Sequence, residues 1–351
     1  METEHRIVVG DARDLDELDD DSVELVVTSP PYPMIEMWDE LFAELDPEIG
    51  DRLSAGDGRE AFELMHDALE PVWRELERVL VDGGIACINV GDATRTVDGD
   101  FRVYQNHARI LETVASIGFE PLPEILWRKP ANSAAKFMGS GMIPPNAYVT
   151  LEHEYILVFR NGDSKRSFEP NDPDRYEAAY FWEERNRWFS DLWTDVRGRV
   201  QALDRDDLRE RSAAYPLEIP YRLIQMYSVY GDTVLDPFWG TGTTTLAAMV
   251  AGRHSVGYEL ETAFTAAFGD RVEGVSELSE RFARARLADH REFVEAERDA
   301  GNGFDYRAEH YDTPVRTKQE RTIRFYGIDR IENDGSTYRA SHRPIETDEN
   351  R

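Results

Sequence analysis

Short apolar runs and stretches with helical apolar spacing alternate along the first 128 residues. Short β-rich apolar runs bounded by Asp, Gly or Pro predict strands, and these runs cover residues 6–10, 23–28, 85–90 and 122–127. Apolar residues three and four apart predict helices over residues 61–80 and 101–117. Strands that alternate with helices in this way predict an α/β sheet that is mostly parallel.

Residues 129–215 break this pattern, since they are rich in Asn, Ser, Gly and Pro and contain clustered aromatics and arginines. One strand-like run, residues 154–159, interrupts the segment. We interpret it as an inserted, irregular recognition region. The α/β pattern then returns, with predicted helices over 221–230 and 278–299, predicted strands over 233–236 and 255–258, and a predicted hairpin at 333–335.

The charge of the chain restricts its partners. The 351 residues include 70 acidic and 40 basic ones, a formal net charge of −30. Such a chain should repel nucleic acid, but residues 121–215 are nearly neutral. Acid-rich, lysine-poor composition resembles that of proteins from extreme halophiles, where a Debye length of about 3 Å at 1 M salt confines the negative field. An ordinary acidic protein that avoids nucleic acid is the open alternative.

Other features of composition exclude whole classes of protein. No apolar run approaches the roughly 18 residues of a membrane span, and the N-terminus lacks the apolar region of a signal peptide, so we expect a cytoplasmic protein and no membrane partner. The single cysteine, Cys87, excludes a disulfide framework and a cysteine-built zinc site, and we expect no metal.

A glycine-rich loop joins one predicted strand to a helix. Gly240-Thr241-Gly242 would let the backbone approach a ligand at a helix N-terminus. The spacing fits neither GxGxxG nor a P-loop, which argues against pyrophosphate. Glu259 ends the following strand, where a carboxylate typically binds ribose hydroxyls. The pattern suggests a ribonucleoside that carries a small carboxylate; a purely structural turn is the alternative.

A second loop follows the strand that ends at Thr28. The prolines of Ser29-Pro30-Pro31-Tyr32 fix a rigid loop at the rim of a parallel sheet, where ligands bind. Tyr32 offers a stacking face, and the Ser29 hydroxyl and nearby carbonyls can accept hydrogen bonds from an amine. Taken alone, the same residues could form a tight turn with a buried tyrosine.

Together, TSPPY at 28–32 and LDPFWGTGTT at 235–244 resemble the S-adenosylmethionine-dependent amino-methyltransferases of DNA, and their order looks like the β class. Further resemblances are GDA at 10–12, INVGD at 88–92, the GF and WRK elements within 118–129, and YP with YRLI within 215–224. Two features depart from the family pattern: His-Pro is absent before Tyr215, and Trp239 stands inside the glycine element.

The resemblance implies a Rossmann-like methyltransferase sheet with helices on both faces and a circularly permuted motif order. It also implies four segments: a catalytic half at 1–128, a target recognition region at 129–215, an S-adenosylmethionine-binding half at 216–269, and a C-terminal extension, helical and then mixed, at 270–351.

Site residues follow from the same resemblance. Asp11 would accept a hydrogen bond from the cofactor's adenine amine, and Glu259 would hold its ribose. The methionine part would be surrounded by Asp236, Phe238, Gly240, Gly242, Thr243 and Thr244. The target base, flipped out of duplex DNA, would be held by Ser29, Pro30, Pro31 and Tyr32. Contacts to DNA are expected from Lys136, Arg185, Arg187 and Arg197.

The product depends on one position. In the family, serine before the prolines is usual in cytosine-N4 enzymes and Asp or Asn in adenine-N6 enzymes, so Ser29 favours N4-methylcytosine. The alternatives are adenine-N6 methylation, an RNA- or protein-directed methyltransferase on the same fold, and a nucleoside-binding regulator without catalysis. The run SPPYPMIEMWD at 29–39 looks like archaeal methyltransferases associated with CTAG. A cognate restriction endonuclease is a further expected partner, whereas the sequence does not indicate an oligomeric state.

Overall fold

A ten-stranded sheet forms the centre of the protein in this computed structural model, which describes residues 1–129, 138–139, 142–196 and 215–346. The strands of these residues are β1 (Glu2–Val9), β2 (Val23–Thr28), β3 (Leu80–Val90), β4 (Ala93–Val97), β5 (Asp100–Tyr104), β6 (Phe119–Arg128), β7 (Met138–Gly139), β8 (Ala147–Tyr148), β9 (His153–Asn161), β10 (Leu192–Trp193), β11 (Thr233–Asp236), β12 (His254–Glu259), β13 (Tyr306–Arg307), β14 (Pro314–Val315), β15 (Tyr326–Asp334) and β16 (Thr337–Pro344).

The helices of the same residues are α1 (Asp39–Leu45), α2 (Pro47–Ser54), α3 (Gly58–Val79), α4 (Asn106–Ile117), α5 (Pro173–Glu177), α6 (Trp182–Trp188), α7 (Glu218–Tyr227), α8 (Thr243–Ala251), α9 (Thr262–Val272) and α10 (Val275–Asp299). Short three-ten helices lie at Glu36–Trp38 and Lys318–Thr322. In the described part of the chain, no helix is long and apolar enough to cross a membrane.

The sheet has the order β10-β6-β9-β3-β2-β11-β12-β1-β16-β15. Its five central strands, β3, β2, β11, β12 and β1, are all parallel. The neighbouring strands β9 and β16 are antiparallel to them. The predicted α/β architecture is therefore confirmed. The carboxyl ends of the central strands meet at one edge, which is where ligands bind in sheets of this kind.

Helices cover both faces of the sheet because its strands are apolar on both sides. Successive residues of a strand point to opposite faces. Leu25 and Val27 of β2 belong to one core, shared with α7 and α8. Val26, between them, belongs to a second core, shared with α3 and α4. The consecutive apolar residues at 25–27 are thus the pattern of a strand buried on both faces.

The predicted helix over 101–117 is wrong in its first turn. The helix begins at Asn106, and the residues before it form β5, which pairs with β4. Asp98 and Gly99 connect these two strands with φ angles of 48° and 79°. Positive φ at both central residues is the signature of a two-residue hairpin turn that matches the twist of its strands. The Asp-Gly pair was the missed signal.

The predicted recognition region also contributes to the main sheet. The run predicted as a strand at 154–159 is β9, which lies between β3 and β6 and is antiparallel to both. The strand predicted within residues 129–215 is therefore confirmed, and it belongs to the main sheet. Arg128 at the end of β6 pairs with His153 at the start of β9. The chain between them thus leaves and re-enters the sheet at one edge.

The C-terminal residues extend the sheet on its other side. The predicted hairpin is confirmed: β15 and β16 pair antiparallel around Gly335, whose φ is 73°. Strand β16 also pairs with β1, from Glu2 opposite Ser341 to Arg6 opposite Thr337. The last strands therefore continue the sheet that begins with the first residues of the chain.

Candidate active site

A cavity of about 270 Å³ opens at the carboxyl ends of β1, β2, β11 and β12. Several residues singled out from the sequence line it together: Asp11, Ser29, Pro30, Pro31, Asp236, Phe238, Gly240, Thr243 and Glu259. They come from segments that are more than 200 positions apart in the chain. The parallel sheet brings them to one edge, because the loop that follows each parallel strand begins at the carboxyl edge of the sheet.

The glycine loop lies in this cavity wall and its backbone requires glycine at two positions. Gly240 and Gly242 have φ angles of 54° and 77°. A Cβ atom on Gly242 would lie 2.5 Å from the ring of Phe268 and 2.6 Å from that of Trp239. Gly242 does not line the cavity; it lets α8 begin close behind the loop.

Trp239, the departure from the family pattern, is a buried support for this loop. Its indole Nε1 donates to Thr245 Oγ1 at 2.8 Å, and its ring packs edge-on against Phe268 at 4.9 Å. Gly257 of β12 makes room for it, because a Cβ there would overlap the indole ring. The larger side chain is thus matched by a glycine on the neighbouring strand.

Glu259 lies at the end of β12 with its carboxylate on the cavity wall. Oε2 accepts from the backbone N–H of Gly240 at 2.8 Å, and Oε1 from that of Glu261 at 2.9 Å. Burial raises the pKa of this carboxyl to about 7, although both backbone hydrogen bonds favour the charged form. Each oxygen keeps a second lone pair. The carboxylate can therefore accept from a pair of ribose hydroxyls.

Asp236, on the cavity wall, connects the end of β2, the loop after β11 and the start of α8 through hydrogen bonds. Its carboxylate accepts from Thr28 Oγ1 at 2.7 Å, from Thr244 Oγ1 at 2.5 Å and from the backbone N–H of Phe238 at 3.1 Å. Burial raises its pKa to about 6. Thr244 lies behind the cavity wall and also accepts from the Tyr215 hydroxyl at 2.6 Å. Asp236 and Thr244 thus fix the glycine loop against the end of β2.

Asp11 follows β1 on the cavity wall and is held by Arg13. The Arg13 guanidinium donates to Oδ2 at 2.7 and 2.9 Å, and the Arg13 backbone N–H donates to Oδ1 at 2.9 Å. Burial acts to raise the pKa of Asp11, but the hydrogen bonds and charge of Arg13 outweigh it and lower that pKa. Asp11 is therefore an ionised acceptor at the cavity.

The Ser-Pro-Pro-Tyr loop places three of its four residues on the cavity wall, and Tyr32 behind them. The Tyr32 hydroxyl lies 3.0 Å from Ser29 Oγ, 3.1 Å from Glu154 Oε2 and 2.8 Å from Asn89 Nδ2. Burial raises the pKa of Tyr32 well above its usual value, with a further contribution from the Glu154 charge. Gly91 leaves space beside the tyrosine ring, since a Cβ there would lie 3.2 Å from it.

Sequence reasoning missed Glu154 as a site residue. This buried carboxylate at the start of β9 also accepts from Lys129 Nζ at 2.7 Å. Asn89 and Lys129 were noted as parts of motifs but not as site residues. The missed signal is a glutamate at the start of an apolar run, because a carboxylate in a buried strand needs hydrogen-bond partners.

Two of the four residues predicted to contact DNA lie among the described residues. Arg185 and Arg187 are exposed on α6. Arg185 stacks over Phe189 at 4.8 Å, and Arg187 forms an ion pair with Asp289 at 3.3 Å. Lys136 and Arg197 lie outside the described residues. Within the described ranges, no group of three or more His, Cys, Asp or Glu side chains could hold a metal ion.

Comparisons with known proteins agree with this geometry. A family model described as DNA methylase, of the N6/N4 methyltransferase type, matches residues 23–268. The Type II methyltransferase M.MthZI of Methanothermobacter thermautotrophicus is 50% identical over 329 residues, which cover 93% of this chain and 91% of that protein. M.MjaI of Methanocaldococcus jannaschii is 54% identical over 270 residues, covering 74% and 88%. The structure of a putative DNA modification methylase from Thermus thermophilus with S-adenosyl-L-methionine has 34% identity and a TM-score of 0.59, covering 76% and 92%.

Proposed function

Because the chain belongs to the DNA methylase family of the N6/N4 type, we propose that it transfers the methyl group of S-adenosylmethionine to the N4 amine of a cytosine in duplex DNA. The chain is a site-specific DNA methyltransferase that depends on S-adenosylmethionine. One feature of the cavity supports transfer to an amine. Glu259 and Ser29 line the same cavity, so a nucleoside cofactor and a target amine would meet there.

The walls fit the cofactor on the chemistry of their donors and acceptors. Asp11 is an ionised acceptor suited to an adenine amine, and Glu259 presents free lone pairs to ribose hydroxyls. Thr241 Oγ1 is buried on the wall with no hydrogen-bond partner among the described residues, so a ligand could satisfy it. When bound, the cofactor supplies a methyl group on a positively charged sulfur.

Ser29 and Pro30 would prepare the target amine. The lone pair of an exocyclic amine is delocalised into its ring, which makes the nitrogen a poor nucleophile. Hydrogen bonds from its two N–H groups to the Ser29 hydroxyl and the Pro30 carbonyl would draw the nitrogen toward a tetrahedral shape and free that lone pair. This assistance is positioning and electrostatics, which preorganised groups supply most effectively. Tyr32 would support a base flipped out of the duplex.

Cytosine is the proposed base because serine stands at position 29, as is usual in the cytosine-N4 enzymes that the chain resembles. The neutral Ser29 hydroxyl can accept one amine hydrogen without burying a charge beside the electron-rich N3 of cytosine. Adenine-N6 is the alternative product.

The chain between β6 and β9 is proposed to read the DNA, as part of the recognition region at 129–215. Its position supports this role. Strand β9 begins beside the end of β3, and Thr28 at the end of β2 pairs with Ile88 of β3. The segment therefore emerges on the same edge as Ser29. We include Arg185, Arg187, Lys136 and Arg197 in this proposal. CTAG is the proposed recognition sequence, and a cognate restriction endonuclease the proposed partner.

Product analysis tests the proposal. The full chain is incubated with S-adenosylmethionine and unmethylated plasmid DNA, which is then digested to nucleosides and separated by mass. A CTAG duplex and a CATG duplex of equal composition are treated in parallel, and a reaction without cofactor is the control. We expect N4-methylcytosine, on CTAG but not on CATG. N6-methyladenine as the sole product would overturn the cytosine assignment, and equal methylation of both duplexes would overturn the CTAG assignment.

A further inference from the structure

A chain of hydrogen bonds runs from the protein surface to Ser29. Lys129 Nζ donates to Glu154 Oε1 at 2.7 Å, and Glu154 Oε2 accepts from Tyr32 at 3.1 Å. Asn89 Nδ2 donates to both Glu154 Oε2 and the Tyr32 hydroxyl, at 2.8 Å in each case. Ser29 Oγ lies 3.0 Å from the same tyrosine oxygen. In the part of the chain that the structure describes, Tyr32 is the hydrogen-bond partner of the Ser29 hydroxyl.

The chemistry of these groups fixes the direction of each hydrogen. A glutamate paired with lysine is an acceptor only, so the nitrogen of the Asn89 amide must face it. The Tyr32 hydroxyl has one hydrogen and two neighbouring acceptors, the Glu154 carboxylate and the neutral Ser29 hydroxyl. A hydrogen bond to an ionised acceptor is roughly twice as strong as a neutral one. The tyrosine therefore donates to Glu154.

Ser29 is then left with one arrangement. The Tyr32 oxygen can accept but no longer donate, so the Ser29 hydroxyl donates its hydrogen inward to that oxygen. The Ser29 lone pairs consequently face the cavity, which Ser29 lines. An acceptor in this place suits a base that presents an N–H group and disfavours one that presents a carbonyl oxygen.

From this geometry we propose that Glu154 is a positioning residue for methyl transfer: acting through Tyr32, it orients the Ser29 hydroxyl as an acceptor for the exocyclic amine. The inference rests on the proposed role of Ser29 and adds a residue from β9 to it. It also explains why a buried carboxylate lies behind the loop, beyond the cavity wall.

Glu154→Gln tests the direction of the hydrogens because the two side chains have nearly the same shape. Lys129 would select the amide oxygen of the glutamine, so its NH₂ group would face Tyr32. Asn89 Nδ2 donates to the same carboxylate oxygen and to Tyr32, so a turned Asn89 amide would accept from Tyr32 in place of Glu154. Glu154→Gln is therefore made in an Asn89→Ala background, with Asn89→Ala alone as the reference chain in place of the wild type. In that background the tyrosine would donate to Ser29, and the serine hydrogen would point at the incoming amine. We expect kcat to fall by about 10²-fold, the size of effect seen when a positioned group is misplaced. Cofactor affinity and melting temperature should stay near the values of the reference chain.

Tyr32→Phe provides the second arm, since it removes the group that transmits the orientation and frees the Ser29 hydroxyl to rotate. In the same background, we expect Tyr32→Phe to lose less activity than Glu154→Gln, and the variant with both changes to match Tyr32→Phe rather than multiply the two losses. Glu120→Gln, which neutralises an exposed carboxylate on β6, is the matched control and should retain the kcat of the reference chain.

Three results would overturn the inference: the kcat of the reference chain in Glu154→Gln, a loss of melting temperature and cofactor affinity that accounts for its lower activity, or multiplicative losses in the variant with both changes. The nucleoside product of the wild-type chain is measured in the same assays. N6-methyladenine would overturn the proposed cytosine target and leave the Glu154 result interpretable, because both bases present an amine. The kcat of the reference chain in Glu154→Gln, with N4-methylcytosine as product, would overturn the inference alone.

Discussion

At the scale of single residues, the site depends on carboxylates that differ in environment. Asp11 is stabilised as an anion by Arg13, whereas burial raises the pKa of Glu259 to about 7. Only the ionised form of Glu259 can accept from two ribose hydroxyls without offering a competing hydrogen. Cofactor binding should therefore weaken as the pH falls through 7, because a proton and the ribose compete for the same carboxylate.

We expect Glu259→Gln to weaken S-adenosylmethionine binding by about 1–3 kcal/mol, the usual size for a hydrogen bond to a charged group. Titration calorimetry should show the wild-type affinity for S-adenosylmethionine falling as the pH is lowered from 7 to 5. The fall should reach up to tenfold per pH unit below the pKa of Glu259. The glutamine variant should lose most of this slope, and any slope that remains would report Asp236, whose pKa is about 6. An affinity of the wild type that does not change over this range would contradict the assignment.

At the scale of elements, a tight contact between Trp239 and the neighbouring strand β12 helps to hold the glycine loop in place. Trp239 follows β11, and Gly257 lies in β12 directly beneath its indole. A methyl group at position 257 would overlap the ring, and overpacking of a core costs about 1–3 kcal/mol. The displaced indole would move the loop that carries Gly240 and Gly242.

We therefore expect Gly257→Ala to lower the free energy of unfolding by about 1–3 kcal/mol and to weaken cofactor binding. Gly269→Ala in α9 is the matched control, because a Cβ there would meet only the Tyr338 hydroxyl, at 3.9 Å. Alanine in a helix should raise stability by roughly 0.5–1 kcal/mol. Chemical denaturation with and without S-adenosylmethionine measures both effects. Equal stability of the two variants would show that the indole contact is not tight.

At the scale of the whole molecule, the net charge of −30 sets the response to salt. Exposed pairs such as Arg52 with Glu48 at 2.6 Å and Arg74 with Glu70 at 2.5 Å add little to stability, because solvent screens the charges and ordering the two side chains costs entropy. The negative side chains in excess repel one another throughout the folded chain, and salt screens that repulsion. Added salt should therefore stabilise the fold more by screening this repulsion than it destabilises the fold by weakening exposed ion pairs.

We expect the melting temperature to rise when potassium chloride is increased from about 0.1 M to molar concentration, where the Debye length shrinks from about 10 Å to about 3 Å. Methyltransferase activity should persist at molar salt, with base contacts and DNA shape providing more of the affinity, because phosphate contacts weaken steeply as salt rises. Scanning calorimetry over a salt series is the measurement. A melting temperature that falls with added salt would exclude the halophilic interpretation.

The sequence by itself determined the elements and the chemistry that local patterns carry. Short apolar runs predicted the central strands and helical spacing predicted the helices, since burial of apolar side chains dominates local structure. The Ser29 loop, the glycine loop and Glu259 were identified from the two motifs together, because each motif alone also fits a structural turn. The hairpin of β4 and β5 could also have been predicted, because Asp98-Gly99 specifies a two-residue turn.

Only the tertiary structure decided which distant residues meet. Strand β9 is apolar like any buried strand, and nothing in its sequence selects β3 and β6 as its neighbours. Its place in the sheet brings Glu154 to Tyr32, 122 positions away in the chain. In the same way, the pairing of β11 with β12 decides that Gly257 accommodates Trp239. Such contacts follow from strand order and packing, which depend on the whole chain being folded at once rather than on any local pattern.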